Sequence, residues 1–109
     1  MELTSKQRAQ LRAMANGIET ILQVGKDGIG ENLVRQADDA LEARELIKGR
    51  VLDNNIDYDA RSAAAELAQA TRSEVVQVIG TRFVLYRESH SKPKEKRIQL
   101  EKTKIKDKR

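Results

Sequence analysis

The chain contains no cysteine and no tryptophan, and it has one proline and one histidine. Without cysteine there are no disulfides, no thiolate metal ligands and no cysteine nucleophile. Aromatic residues make up only 3% of the chain, too few for a row of side chains that stack on nucleic-acid bases. Apolar runs reach roughly five residues, far short of a membrane-spanning helix, and no secretory leader is recognisable at the start of the sequence. A cytoplasmic location without membrane attachment is therefore the expectation.

The residues that enzymes use for catalysis do not form any recognised catalytic pattern in this sequence. His90 stands between two serines in the basic C-terminal stretch, where we expect an exposed side chain. Carboxylates fall along the second predicted helix without a histidine or cysteine to complete a transition-metal site, so a solvated acidic face is predicted. These carboxylates are Asp38, Asp39, Glu42 and Glu45. We therefore predict a protein that is not an enzyme and has no metal site, no cofactor and no small-molecule substrate.

The positive charge of the chain is concentrated at its C-terminal end. The net charge is +4, but residues 87–109 hold ten Lys or Arg against four Asp or Glu, which leaves the preceding part slightly acidic. Because the only proline and few apolar residues fall in this stretch, residues 89–109 are predicted to be a basic, mobile tail, with an optional short strand at residues 97–100. Residues 1–88 are predicted to form one folded domain.

Hydrophobic periodicity predicts three helices and four strands in the order α-β-α-β-α-β-β. The helices are expected at residues 4–15, after residue 30 and from residue 57 or 59, and the strands at residues 21–24, 46–52, 74–79 and 82–86. Strand-helix-strand crossovers give parallel pairs, and the closing hairpin adds an antiparallel strand. The predicted fold class is α/β, a two-layer sandwich of three helices on a four-stranded mixed sheet.

Local signals support these boundaries. Thr4 and Gln7 have the spacing of a capping box at the first helix. Gly49 indicates a bulge or a close approach within the second strand. Gly80 followed by Thr81 suits a type II′ hairpin turn between the last two strands.

The stretch ILQVGKDGIGENLVRQ at residues 21–36 joins the first strand to the second helix through a glycine-rich loop. Gly25, Lys26, Asp27 and Gly28 form a GxxG sequence. Glycine lets the backbone approach a phosphate and adopt positive φ, and the N–H groups at a helix start carry partial positive charge. Lys26 adds a cation, Asp27 opposes it, and the combination is typical of a clamp on a nucleic-acid backbone. An ordinary strand-to-helix turn is the alternative.

Further cations are candidates for the same contact. Lys6, Arg8 and Arg12 lie on the first helix, and Arg82 follows the predicted hairpin turn. An ordinary solvated face is equally compatible with the helix cations. Since aromatic residues are so few, RNA would be contacted through its backbone and shape, which predicts modest sequence specificity.

Four stretches together resemble the YhbY-type RNA-binding proteins, the stand-alone bacterial form of the chloroplast RNA splicing and ribosome maturation (CRM) domain. They are LTSKQRAQLRAMA (3–15), ILQVGKDGIGENLVRQ (21–36), LEARELIKGRVL (41–52) and VVQVIGTRFVLYR (75–87). Within them ELIK, QVIG and VLYR fall at the family's expected places. The chain departs from the family at Glu19 and Thr20, at Gly49, where many members have a larger residue, and in its long tail.

The resemblance implies a fold like the C-terminal domain of bacterial translation initiation factor 3 and association with precursors of the large ribosomal subunit. It also implies that Gly25, Lys26 and Gly28 form the RNA-contacting motif, whereas the helix cations and Arg82 come from electrostatic reasoning alone. The expected function is that of a monomeric protein that contacts ribosomal RNA backbone during large-subunit assembly. The alternative is a protein-interaction module of the ribosome or translation machinery, in which the acidic second helix meets a basic ribosomal protein.

Overall fold

The predicted helices and strands are all present in the computed structural model, which describes residues 3–52 and 59–101. They are α1 (Ser5–Ala15), β1 (Thr20–Val24), α2 (Glu31–Arg44), β2 (Leu46–Val51), α3 (Ala60–Thr71), β3 (Glu74–Ile79) and β4 (Arg82–Tyr86), followed by one 3-10 turn at Lys94–Lys96. The predicted element order is therefore confirmed, and the last two strands have the predicted bounds. The turn predicted after β2 and the alternative start of α3 at Asp57 lie outside the described residues.

Side chains cap α1 and α3 where the sequence predicts. At the start of α1 the Thr4 hydroxyl accepts from the Gln7 N–H at 3.1 Å, and Gln7 Oε1 accepts from the Thr4 N–H at 2.9 Å. These two bonds form the predicted capping box, which satisfies donors that the helix start leaves unpaired. α3 begins similarly, because the Asp59 carboxylate accepts from the Ser62 N–H at 2.8 Å. That bond holds the pKa of Asp59 below its usual range.

The sheet has the strand order β1-β2-β4-β3, so the last strand is inserted between earlier ones. β1 and β2 are parallel, as the crossover through α2 predicts, and β4 is antiparallel to both its neighbours. The β3–β4 turn places Gly80 at φ 59, as the first position of a type II′ turn requires. β4 is thus a central strand, and it is buried on both faces, with Phe83 and Leu85 on one and Val84 and Tyr86 on the other.

The helices lie on both faces of the sheet, which corrects the predicted two-layer sandwich. Helices α2 and α3 pack on the face that carries Phe83 and Leu85. Helix α1 packs on the opposite face, where Leu11 joins the cluster that contains Val84 and Tyr86. The physical reason is β4, because a strand with four consecutive apolar side chains needs cover on both faces. The arrangement therefore has three layers, with the sheet in the middle.

Residues 89–101, which the sequence predicts as part of a mobile tail, lie against the domain. Ile98 and Leu100 pack against the hydrophobic cluster under α1. A side chain of α1 also binds this segment, because Gln7 Nε2 donates to the Glu101 carbonyl at 2.8 Å. The optional extra strand is absent from the segment. Contacts with the domain therefore extend as far as Glu101, beyond the predicted domain boundary at residue 88.

Glu45 is fully buried at the end of α2 and binds two backbone N–H groups of the C-terminal segment. Its Oε2 accepts from the Ser89 N–H and its Oε1 accepts from the Ile98 N–H, both at 2.7 Å. The backbone of Glu45 has φ 69, in the left-handed region, at the point where the chain turns from α2 into β2. A carboxylate removed from water is tolerated only when donors surround it, and here both donors come from the far end of the chain.

Two further carboxylates of α2 bind the same part of the chain. Asp38 Oδ1 accepts from Arg87 Nη1 at 2.6 Å, and Glu42 Oε2 accepts from the Ser91 N–H at 2.7 Å. The prediction of a solvated acidic face is therefore wrong for buried Glu45 and for half-buried Glu42, whereas Asp38 and Asp39 are exposed. The donors to the three carboxylates lie between 44 and 53 residues further along the chain, so no local pattern indicates them.

The hydrogen bonds to Glu42 make the contact with the C-terminal segment sensitive to acid. Bonds from Ser91, and then from His90 and Ser89, lower the pKa of Glu42 from 4.5 to about 2. Because the folded-state pKa is lowered, the stabilisation is present above the ordinary pKa and is lost as the pH falls toward 2. In an NMR titration the Ser91 amide proton is expected to shift with a midpoint near pH 2, whereas a midpoint near 4.5 would show that this bond does not form.

Candidate nucleic-acid interface

The GxxG loop is a tight turn that follows β1. The Gly28 N–H donates to the Gly25 carbonyl at 3.0 Å, and Gly28 has φ 72. Glycine adopts this left-handed conformation without the strain that a Cβ would cause. The turn places Lys26 and Asp27 at its tip, and both side chains are exposed.

A groove of about 390 Å³ separates this loop from the first turns of α2. Its lining includes Asp27, Gly28 and Gly30 from the loop side and Glu31 and Gln36 from α2. Gly30 is the N-cap, so no capping side chain binds the N–H groups of the first helical turn. These N–H groups and the helix dipole favour an anion, whereas the carboxylates of Asp27 and Glu31 oppose one. Lys26 is therefore the side chain of the loop whose charge favours an anion.

The loop and Arg82 lie at the same edge of the sheet. The Leu52 N–H donates to the Val24 carbonyl at 2.9 Å, which holds the chain after β2 against the start of the loop. The Val51 N–H donates to the Thr81 carbonyl at 2.8 Å, which holds the end of β2 against the hairpin turn. Arg82 is the next residue after this turn, and its side chain is exposed. The structure thus brings together two of the regions from which the sequence predicts RNA contact.

The cations at the start of α1 lie away from that edge. Arg8 is half-buried, and its Nη1 donates to the Val75 carbonyl at 2.6 Å. Val75 pairs with Leu85, three residues along β4 from Arg82, which corresponds to about 10 Å. Lys6 is exposed in the first turn of α1, whereas Arg12 is in the last turn and half-buried. The structure therefore does not group Lys6 and Arg8 with the loop.

Two cations that the sequence analysis missed share a sheet face with Arg82. In β2 the residues Lys48 and Arg50 alternate with buried neighbours, so they point away from α2 and α3. Arg50 is the direct cross-strand partner of Arg82, and Lys48 is the partner of Val84. The sequence LIKGRV indicates this arrangement, because its two cations alternate with residues that are buried.

Neither a metal site nor a membrane span is found in residues 3–52 and 59–101. No cluster of histidine and carboxylate side chains in these ranges is placed to hold a metal ion, and no helix there is long and apolar enough to cross a bilayer. His90 is exposed, as predicted. Burial, followed by the charge of Glu45, raises the pKa of Tyr86 to about 12, so this hydroxyl stays protonated near neutral pH.

Comparison with known proteins gives consistent matches over nearly all of the described chain. The sequence profile of the CRS1/YhbY (CRM) domain matches residues 3–87. Probable RNA-binding protein YqeI of Bacillus subtilis is 47% identical over 87 residues, which cover 80% of this chain and 90% of that protein. Probable RNA-binding protein PA4753 of Pseudomonas aeruginosa is 32% identical over 89 residues, which cover 82% and 85%. The solution structure of hypothetical protein SAV1595 from Staphylococcus aureus superposes with a TM-score of 0.73 at 53% identity, covering 92% of this chain and all of that one.

Proposed function

This chain belongs to the CRS1/YhbY (CRM) domain family, and we propose on that basis that it is an RNA-binding protein that contacts ribosomal RNA backbone through its GxxG loop during large-subunit assembly. The observation that carries the proposal is the turn closed by Gly28, which holds Lys26 exposed beside an N-terminal helix turn without a capping side chain. Exposed backbone N–H groups and one cation form a site for a phosphate group.

The same features favour contact with backbone over contact with bases. Phe83 and Tyr86 are both buried, so neither of these aromatic side chains offers a stacking surface. A protein that neutralises phosphates without reading bases binds with modest sequence specificity and strong salt dependence. We propose a cytoplasmic, monomeric protein that acts without a cofactor and catalyses no reaction.

The alternative function is a protein-interaction module that uses the acidic face of α2. Two carboxylates of that face are already paired within the chain. Asp38 and Glu42 both bind Arg87 of the same chain, at 2.6 and 3.3 Å. A basic partner protein would have to displace these internal contacts. Reversing the charge of the exposed Asp39 alone separates the two functions, because only the alternative expects that variant to leave the ribosomal particle while it keeps RNA affinity.

Lys26→Glu is expected to weaken RNA binding about tenfold at low salt, which corresponds to ~1.4 kcal/mol. The reason is that a negative charge would replace the cation at the point where the loop and the start of α2 converge. Fluorescence anisotropy with labelled oligouridylate measures the effect. Lys94→Glu is the matched control, because it makes the same charge change at an exposed position of the C-terminal segment. Equal losses of RNA affinity in both variants would indicate that the loop is an ordinary turn without a specific role in binding.

The choice of ribosomal RNA is tested by crosslinking and sequencing in cells that express the full chain, Lys26→Glu or Lys94→Glu. Crosslinks of the full chain are expected to concentrate on large-subunit RNA and to disappear only with Lys26→Glu. A truncation that tests the tail should end after Glu101, because a cut after Glu88 would remove the donors to Glu45. Crosslinks that follow the removed basic residues onto all abundant RNA would contradict the proposal.

A further inference from the structure

We propose that the part of the sheet that α1 leaves uncovered is a second contact for RNA backbone, which extends the loop site across β2 and β4. We call it the open sheet surface, and it carries Gln23, Lys48, Arg50, Gln77, Ile79 and Arg82. This contact presupposes the RNA-binding function proposed above, and it adds Lys48 and Arg50 to the residues that hold RNA. Its ligand is a phosphodiester backbone, without selection of bases.

The strand register places the three cations of this surface together. Arg50 and Arg82 are direct cross-strand partners, so their side chains leave the sheet on the same face. Lys48 is two residues before Arg50 on β2, on the same face and about 7 Å away along the strand. Helix α1 packs toward the other end of this face, against Leu46 and Tyr86. The cations are therefore clustered on the half of the face that α1 does not cover.

Two arginines placed directly opposite each other are destabilising unless an anion lies between them. In the described ranges of the chain the ion pairs involve Arg87 and Arg97, and neither Arg50 nor Arg82 takes part in one. Arg82 is exposed and Arg50 is half-buried, and the register places both side chains on the same face of the sheet. A phosphate bound at this point would offset the repulsion between their charges.

The shape and composition of the surface favour a nucleic-acid strand. It contains a groove of about 380 Å³ whose lining includes Asn16 at the end of α1, Lys48, Ile79 and Arg82. Arginine, lysine and glutamine side chains suit phosphate and sugar contacts. None of the six residues of this surface is aromatic, and the ring of Phe83 belongs to the opposite face. The surface therefore offers backbone contacts and no stacking platform.

The open sheet surface is continuous with the loop. The Thr81 carbonyl binds the Val51 N–H, and the Val24 carbonyl binds the Leu52 N–H, so hairpin turn, β2 end and loop form one edge. A strand held by Lys26 therefore lies at the edge of the sheet that also carries Arg82. This continuity, together with the charge, identifies RNA as the occupant.

The test is the salt dependence of oligouridylate binding, measured by fluorescence anisotropy for the full chain and for the double variant Arg50→Gln/Arg82→Gln. Loss of two phosphate contacts should make the slope of log affinity against log salt shallower by about 1.4 for single-stranded RNA. The thermal midpoint should stay equal or rise, because the repulsion between the two arginines is removed. Arg44→Gln/Arg61→Gln is the matched control, since it removes two exposed arginines from α2 and α3. Arg50→Lys/Arg82→Lys keeps both charges and should keep the slope.

Comparison with Lys26→Glu separates this contact from the loop site. A slope that changes no more in the double variant than in the control overturns the open sheet surface, and an acidic protein would then be the partner to test. If Lys26→Glu still weakens binding in that case, the proposed function stands. A shallower slope for Arg50→Gln/Arg82→Gln with no effect of Lys26→Glu would support the open sheet surface and would overturn the loop as an RNA contact. Absence of any salt-dependent binding by the full chain overturns both.

Discussion

Glu45→Ala is expected to lower the free energy of unfolding by about 3 to 5 kcal/mol, because it leaves two buried donors without acceptors. The Ser89 and Ile98 N–H groups both bind this carboxylate at 2.7 Å, and Glu45 has no exposed surface. Each lost charge-assisted bond carries the full cost of desolvating its donor. Since small domains are stable by about 5 to 15 kcal/mol, this single change removes a large part of the total. Urea unfolding measures the loss.

Three comparison variants identify the cause of that loss. Glu45→Gln keeps one acceptor oxygen but turns an amide donor toward the other N–H, so an intermediate loss is expected. Glu45→Gly should be less harmful than Glu45→Ala, because the position has φ 69 and glycine adopts positive φ without strain. Asp39→Ala removes an exposed carboxylate from the same helix and should change stability by less than about 0.5 kcal/mol. If Glu45→Ala and Asp39→Ala had equal effects, the buried carboxylate would not hold the C-terminal segment.

Gly49→Val is the second substitution with a large expected effect, a destabilisation of about 3 kcal/mol from overpacking. A Cβ at this position would lie 2.7 Å from Phe83 Cε1 and 3.2 Å from Leu22 Cβ. Both neighbours are buried in the core between the sheet and helices α2 and α3, so neither side chain has room to move away. Thermal or urea unfolding gives the change in stability.

A double-mutant cycle shows whether the Phe83 ring is the cause. Phe83→Leu removes the ring atoms nearest to the added Cβ, so Gly49→Val/Phe83→Leu should lose less stability than the sum of the two single changes. Gly17→Val is the control, because a Cβ there would lie 3.8 Å from the Met14 carbonyl oxygen, an ordinary contact distance. If the two losses of stability are additive, the Phe83 ring is not the reason that position 49 requires glycine.

The sequence predicts those features of the candidate site that depend only on residues close together in the chain. The GxxG loop is one continuous stretch between a strand and a helix, so glycine spacing alone predicts its turn and the helix start after Gly30. Its role in RNA binding stays a prediction. The alternation in LIKGRV places Lys48 and Arg50 on one face of β2, but it does not indicate which residues of the neighbouring strand they meet. Their pairing with Val84 and Arg82 depends on the insertion of β4 beside β2.

The prediction that the acidic face of α2 is solvated is wrong in part, because it treats all its carboxylates alike. Three of the four predicted carboxylates lie on α2 and the fourth, Glu45, is its C-cap, and nothing in the local sequence distinguishes a solvated carboxylate from a buried one. The difference between exposed Asp39 and buried Glu45 comes from Ser89 and Ile98, which only the folded chain brings near. The same long-range contacts place residues 89–101 against the domain, although their composition is typical of a mobile tail.

The type and order of the helices and strands follow from the sequence alone, and so do the ends of β3 and β4, because the capping box, glycine turns and hydrophobic periods act within a few residues. Family membership follows from the sequence as well. Tertiary contacts alone place α1 on the second face of the sheet, bring Glu45 against the C-terminal segment and set Arg50 opposite Arg82. Those features depend on strand order and on contacts between distant parts of the chain, whose free energy comes from burial and charge pairing after the elements have met.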